Sequence, residues 1–247
     1  MGLKEFFEGN KRTAVAFSGG VDSAYLLAEA VRSGADVRAY YVKSAFQPEF
    51  EREDACRIAS KLGIVLTEIG LDVLSDEKVK ANPADRCYHC KRRIMCAVAE
   101  AAEADGCDVI CDGTNASDDA DDRPGFRALE EFGIKSPLRE CGITKDEIRT
   151  RAKRLGLDVW DKPAYACLAT RIACGEEITE DKLRITEEAE TRLHEMGFRD
   201  FRVRMRGREA LVQIAADQHA DAAERIDEIK AAIGDLYDEV RLDGKPR

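Results

Sequence analysis

Residues 17–30, FSGGVDSAYLLAEA, set two glycines and two serines around an aspartate where an apolar strand gives way to a helix. Gly19 and Gly20 let the backbone approach a phosphate closely and turn its N–H groups inward. Ser18 and Ser23 add hydroxyl donors, and the helix starting near Ser23 directs its positive end at the same point. Asp22 would repel a bare phosphate; a Mg2+ ion bridging carboxylate and phosphates removes that conflict. The loop lacks the lysine of the common Walker-type sequence. A glycine turn with a serine-capped helix is the plainer alternative. Six matching residues in a first strand–helix turn speak for phosphate instead.

Outward from this loop, strand and helix alternate. Strands are expected at 12–17, 35–42, 64–71 and 107–111, with helices at 23–33, 49–63, 87–105 and 143–157, the last capped by Thr144 with Glu147 three residues on. That spacing implies βαβ units and a parallel sheet, with ligands beyond the carboxyl ends of its strands. The loops after the first and fourth strands are therefore where chemistry should gather. The second of these reads DGTNASDD (112–119): Gly113, Thr114 and Asn115 could approach a nucleotide, and the acidic run could help hold metal. Asp121 and Asp122 read as a solvated acidic loop. From about 179 the pattern becomes helix (179–196), strand (198–206), strand (209–215), helix (217–233) and strand (236–242), a small α+β unit. The chain is read as two domains, 1–172 and 173–247.

The 247 residues are 44% hydrophobic, enough for a sizeable core, and no apolar run is long enough to span a membrane. No signal-peptide pattern precedes the first strand, so a cytoplasmic enzyme is expected. The net charge of −10 argues against a broad nucleic-acid surface. Nine cysteines, an odd number, fit reduced thiols, metal ligands or catalysis better than a disulfide framework.

Cys87 and Cys90 form a C-x-x-C in NPADRCYHCK (82–91), at the start of a helix, where thiolate pKa is lowered. Cys167 and Cys174 lie in KPAYACLATRIACGEEIT (162–179). No second C-x-x-C completes a four-thiolate zinc site, whereas three cysteines would suit an iron–sulfur cluster with one iron lacking a protein ligand. Cys56, Cys96, Cys107 and Cys111 read as small core residues, and Cys141 stays ambiguous. His89 is either a ligand or an exposed helix-start histidine.

The SGGVDS loop resembles that of the N-type ATP pyrophosphatases, the PP-loop enzymes, and the fold this implies is an α/β, parallel-sheet PP-loop ATP pyrophosphatase (adenine nucleotide alpha hydrolase-like) domain followed by a small α+β domain. With NPADRCYHCK, GTN and ACLATRI-x-x-GEEIT in the same order, the chain resembles the LarE family, ATP-dependent sulfur transferases of nickel-pincer nucleotide biosynthesis, from about residue 3 to 240. The resemblance implies ATP and Mg2+ bound by Ser18, Gly19, Gly20, Asp22, Ser23, Gly113, Thr114, Asn115 and Arg171. It also implies adenylation of a carboxylate of pyridinium-3,5-biscarboxylic acid mononucleotide with loss of pyrophosphate, then displacement of AMP by sulfur.

Members differ in their sulfur source. One type sacrifices a single cysteine matching Cys167. The other holds a [4Fe-4S] cluster on cysteines matching Cys87, Cys90 and Cys167, loaded by a sulfide donor, and this chain has all three. Relatives usually read Ser-Arg-Ile-Pro-Tyr-Gly where this chain has Thr170, Ala173 and Cys174. Cys174 could close the open iron, act as a second thiol, or be neutral. A homo-hexamer is implied as well.

FRVRMRGRE (201–209) puts Arg202, Arg204 and Arg206 on one strand face. Such a face either guards a sheet edge or clamps a small polyanion. The resemblance favours the clamp, with Cys167, Asp22, Arg202, Arg204 and Glu190 as catalytic residues; Glu188 and Glu190 are either cleft residues near a metal or surface ones. The partner expected is a small anionic nucleotide-like substrate, with no nucleic acid and no membrane. Rival readings are a tRNA thiolase, an amide-forming enzyme such as an NAD synthetase, and a nucleotide sensor with structural zinc.

Overall fold

Three consecutive buried residues, Thr13, Ala14 and Val15, make β1 (Arg12–Ala16) a strand covered on both faces, which is the environment of a parallel sheet with helices on either side. The computed structural model describes residues 2–10, 12–119 and 125–247; Asp121 and Asp122 of the acidic loop lie outside them. β2 (Asp36–Lys43), β3 (Leu66–Gly70) and β4 (Val109–Cys111) join β1 in the order β3-β2-β1-β4, every pair parallel. Val15 pairs with Ala39 on one side and Cys111 on the other. The chain thus steps outward through β2 and β3, then returns beyond β1. Such a reversal opens a crevice at the carboxyl ends of β1 and β4.

Among the described residues the helices are α1 (Leu3–Gly9), α2 (Val21–Arg32), α3 (Glu49–Leu62), α4 (Glu77–Lys80), α5 (Arg86–Ala104), α6 (Gly125–Glu131), α7 (Pro137–Glu140), α8 (Lys145–Arg154), α9 (Glu180–Glu195), α10 (His219–Glu224) and α11 (Ile226–Ile233). Val15 packs with α1, α2, α3 and α8, whereas Ala14 packs with Val98 and Ala102 of α5, so the two faces of β1 serve two cores. The Thr144 cap forms as expected: its hydroxyl accepts from the Glu147 N–H, and the Glu147 carboxylate accepts from the Thr144 N–H. The sequence pattern gives no sign of α1, α4, α6 and α7, which are too short for a 3.6-residue apolar period to show. The expected helix at 217–233 is broken at Arg225 into α10 and α11.

By its own contacts the chain forms two compact units, Met1–Val73 with Asp85–Ala164, and Leu74–Ala84 with Tyr165–Arg247. The division falls before the expected 172/173 and gives 74–84 to the second unit. In that unit β5 (Phe201–Arg206) runs antiparallel to β6 (Glu209–Ile214), which runs parallel to β7 (Glu239–Leu242). Val203 and Met205 of β5 pack with Ala189 and Leu193 of α9 and with Ile229 and Ile233 of α11.

Asn82 explains why 74–84 belongs there. It is buried, with φ of 53°, a left-handed conformation that asparagine tolerates better than other side-chain-bearing residues. Its amide donates to the Ala173 carbonyl at 2.8 Å, and its own carbonyl accepts from the Gly175 N–H at 2.8 Å. The Lys80 carbonyl likewise accepts from Ile178 N–H at 2.8 Å. Asn82→Ala should lose about 2 kcal/mol, one part left-handed strain and one part a buried hydrogen bond. Asn82→Gly keeps the backbone and should lose about half as much. Urea denaturation of both variants checks this; equal losses would remove the strain component.

Candidate active site

One candidate site is built at the β1/β4 crevice. Phe17 N–H still donates to the Tyr40 carbonyl, extending the sheet by one residue before the loop departs. Gly19 has φ of 75°, and a β-carbon there would sit 3.0 Å from the Glu51 carbonyl oxygen. The Ser23 hydroxyl, at 3.3 Å from that of Ser18, donates to the Gly20 carbonyl at 3.2 Å. The loop is thereby closed on itself ahead of α2, whose Gly20 cap leaves helix N–H groups facing forward.

The loop after β4 comes against it. A β-carbon on Gly113 would lie 2.8 Å from the Ser23 nitrogen and 3.1 Å from its α-carbon, so only glycine allows this approach. Buried Asp112 fixes the turn: it accepts from the Thr114 hydroxyl at 2.6 Å and from the Ser136 hydroxyl at 2.7 Å. Asn115 is buried, and its side-chain amide reaches Asp22 at 3.5 Å. Ser18, Gly19, Gly20, Asp22, Ser23, Gly113, Thr114 and Asn115 therefore stand together in one unit. Lys145, which belongs to none of the sequence motifs, donates to the Asp22 carboxylate at 2.5 Å.

A second cluster lies in the other unit. Cys167 heads a 3-10 turn (Leu168–Arg171), and its carbonyl accepts from both the N–H and the hydroxyl of Thr170 at 2.9 Å. Arg171 is fully buried under this turn. Its Nε and Nη2 donate to Glu190 at 2.7 and 3.0 Å, and its Nη1 donates to the Ala166 carbonyl and the Thr170 hydroxyl at 2.8 and 2.9 Å. Glu190 also accepts from the Tyr165 hydroxyl at 2.6 Å and the Val203 N–H at 2.9 Å. A carboxylate has about four lone-pair positions, and all are taken. Burial works against the Arg171 charge, but the Glu190 pair outweighs it and holds the guanidinium above the ordinary arginine range.

Arg202 and Arg204 project from one face of β5, as alternation requires, while Val203 and Met205 are buried on the other. Arg204 donates to Gln213 at 2.5 Å and to the Thr170 carbonyl at 2.9 Å. Half-buried Arg202 makes no hydrogen bond or ion pair with the described residues. Burial, then the charges of Arg171 and Arg204, pull it below the ordinary arginine value; burial and then Arg171 and Arg206 do the same to Arg204. Arg171, Arg202 and Arg204 crowd around Glu190, with Asp243 acting on Arg204 as well and Arg206 adding its own charge, which leaves an excess of positive charge. Arg206 is exposed, and Arg208 pairs with exposed Asp238. Glu188 is a surface partner of Arg192, so only Glu190 of that pair points inward.

Cys87 and Cys90 stand one turn apart on α5, the first exposed and the second buried. The Arg86 guanidinium donates to the Cys87 sulfur at 3.5 Å. Among the described residues no group of three or more His, Cys, Asp or Glu side chains is gathered to hold a metal ion. Cys111 is a core residue whose thiol burial pushes up, but Cys56 and Cys96 are exposed: they occupy the outer faces of α3 and α5, whose inner faces are Ala55, Ile58 and Ala59, and Met95, Val98 and Ala102. His89 pairs with Asp85 at 3.3 Å.

No protein-family profile matches the chain. An uncharacterized protein of Synechocystis sp. is 37% identical over 218 residues, 87% of this chain and 81% of that one. The pyridinium-3,5-bisthiocarboxylic acid mononucleotide synthase of Lactiplantibacillus plantarum is 33% identical over 228 residues, covering 92% and 78%. The tRNA-specific 2-thiouridylase of Thermobifida fusca is 31% identical over 188 residues, covering 62% and 51%. With the glycine-tight phosphate loop on a parallel sheet, these relatives define an ATP-using sulfur-transfer enzyme of the PP-loop superfamily. Within it the chain belongs to the LarE family, that of the pyridinium-3,5-bisthiocarboxylic acid mononucleotide synthase. Among the described residues no helix is long and apolar enough to cross a membrane.

Glu190→Ala would strand Arg171 as an uncompensated buried charge and should destabilise the protein by about 3–5 kcal/mol. Replacing both residues by leucine should recover part of that loss. Denaturant unfolding reads both; a single variant within about 0.5 kcal/mol of the parent would mean that the pair is solvated.

Proposed function

We propose that the chain uses ATP to convert a carboxylate of pyridinium-3,5-biscarboxylic acid mononucleotide into a thiocarboxylate. The carboxylate oxygen attacks the α-phosphorus of ATP and pyrophosphate leaves. Sulfide then attacks the acyl carbon and AMP leaves, so the carbon–oxygen bond of the mixed anhydride is exchanged for carbon–sulfur with no change of oxidation state. A free carboxylate is a poor acyl donor, and the adenylate supplies a good leaving group.

The observation that carries this reading is the excess of positive charge around Cys167. Arg202 is half-buried without an ionic partner among the described residues, beside Arg171 and Arg204, and a crowded, half-buried cation of this kind calls for an anionic ligand. In this reading Arg202 and Arg204 hold the phosphate and carboxylates of the substrate. Ser18, Gly19, Gly20 and Ser23 cradle the departing diphosphate, Asp22 holds Mg2+, and Gly113, Thr114 and Asn115 face the nucleotide. Arg171 spends four of its N–H donors on Glu190, Ala166 and Thr170. Its part, and that of Glu190, is to fix the turn that presents Cys167.

Cys87, Cys90 and Cys167 supply three thiols, the donor chemistry of an iron–sulfur cluster with one iron left open. When bound, such a cluster would supply sulfide at that iron, replenished by a sulfide donor. Donor chemistry and the LarE motifs are what support it. A hexameric assembly belongs to the same proposal.

Exchange of labelled pyrophosphate into ATP, dependent on the mononucleotide, tests the adenylation step. Asp22→Ala should abolish exchange, whereas Cys167→Ala should keep it and lose thiocarboxylate formation. Loss of exchange in Cys167→Ala would overturn this division of labour. Anaerobically reconstituted protein should carry about four irons per chain, lost in Cys87→Ala. Iron-free protein that still forms thiocarboxylate would move the sulfur source to Cys167 itself.

A further inference from the structure

Two arginines of the second unit are held in opposite ways. Arg171 is paired with a carboxylate, and Glu190 takes up its charge. Arg204 is held, among the described residues, by neutral acceptors only: its Nε donates to the Gln213 side-chain oxygen at 2.5 Å and its Nη1 to the Thr170 carbonyl at 2.9 Å. A guanidinium carries five N–H groups; with two taken, three of those on Arg204 make no hydrogen bond with the described residues. Gln213 stands directly opposite Arg202 in the β5–β6 register, so its side chain shares the face that carries Arg202 and Arg204. The other end of its amide is engaged as well, donating to the Asp243 carboxylate at 2.7 Å.

Asp243 is anchored independently of that amide. Its N–H donates to the Val212 carbonyl at 2.8 Å, its carbonyl accepts from the His219 ring at 2.7 Å, and its carboxylate accepts from the Lys245 N–H at 3.2 Å. The Gln213 amide, then the Lys245 N–H, hold its carboxyl below the usual carboxylate range. An ionised carboxylate can only accept and a guanidinium can only donate, so an amide between them has one orientation, nitrogen to Asp243 and oxygen to Arg204. The negative charge is thereby kept one amide away, and it acts on Arg204 more weakly than Arg171, Arg206 or Glu190 does. We infer that Gln213 and Asp243 are positioning residues, which orient Arg204 for an anionic group of the substrate while leaving its charge uncancelled. Asp243 fixes the direction of the amide, and the amide fixes the guanidinium. A carboxylate at 213 would hold Arg204 as firmly but would compete with the ligand, as Glu190 would at Arg171. This rests on the thiocarboxylate reading above and names the residues that set its anion clamp.

The test uses the full chain with Gln213→Leu, Gln213→Glu, Arg204→Met and the double variant Arg204→Met with Gln213→Leu. Each is titrated calorimetrically with pyridinium-3,5-biscarboxylic acid mononucleotide and, separately, with a non-hydrolysable ATP analogue plus Mg2+. Gln213→Leu should bind the mononucleotide about tenfold more weakly, the scale of one hydrogen bond to a charged group, and the ATP analogue as the parent does. Gln213→Glu keeps the shape and adds the competing charge, so it should weaken the mononucleotide further than leucine does. Once Arg204 is methionine, Gln213→Leu should change the affinity by less than about twofold, because the group it positions is gone. Parent-like mononucleotide binding in Gln213→Glu, or a loss from Gln213→Leu that persists without Arg204, would overturn the inference and make Gln213 a packing residue. An equal loss for the ATP analogue would overturn it too, as a general effect on folding. A parent protein that does not bind the mononucleotide at all would sink the thiocarboxylate reading, and this inference with it.

Discussion

The nucleotide half of the molecule depends on a contact that no side chain could survive. Gly113 lies so close to the backbone of Ser23 that a single added carbon would sit 2.8 Å from its nitrogen. That approach exists because β1 lies between β2 and β4, so the loops leaving its end and the end of β4 share one crevice. Helix α2 then starts inside the crevice, with the buried Asp112 turn held against it by Thr114 and Ser136. The loop after β4 is set against the phosphate loop by this one steric fact, and the acidic Asp22 is left with a lysine from elsewhere in the chain.

The other unit is governed by charge rather than by sterics. Arg171, Arg202 and Arg204 crowd together with Glu190 as their buried carboxylate, and that carboxylate is spent on Arg171, Tyr165 and the Val203 backbone. The pair serves the turn that starts at Cys167, because Arg171 ties the carbonyl before the cysteine to the hydroxyl after it. Arg202 is left uncompensated, and both it and Arg204 are pulled below the ordinary arginine value by burial and by one another's neighbours. Such an arrangement is stable only at a cost, and a bound anion is the natural way to relieve it.

What could be read beforehand was what is local. The alternation of strand and helix, the Thr144 cap, the loop SGGVDS and the arginine face of β5 all follow from spacing within a few residues, and the structure shows each of them. What could not be read was long-range. Lys145 meets Asp22 across more than a hundred positions of sequence, and nothing near Lys145 marks it out from other helix-start lysines. Asn82 reads in sequence as part of a cysteine motif, whereas its amide supports Ala173. Glu190 offered itself as a site carboxylate; only its four hydrogen bonds reveal how little of it is free. Cys56 and Cys96 fell on helix patterns, and the pattern alone did not say which face was outward.

The second unit is assembled from two separated pieces, Leu74–Ala84 and Tyr165–Arg247. During synthesis the first piece leaves the ribosome long before the strands and helices it must join. It has to wait, unpaired, while the intervening stretch with Cys87 and the DGTN loop folds around β1. The left-handed Asn82 and the carbonyls of Lys80 and Asn82 find their partners only after Ile178 has emerged. A fragment cut to begin at Tyr165 would therefore lack part of its own framework, and the order of translation makes the nucleotide half the natural first folder.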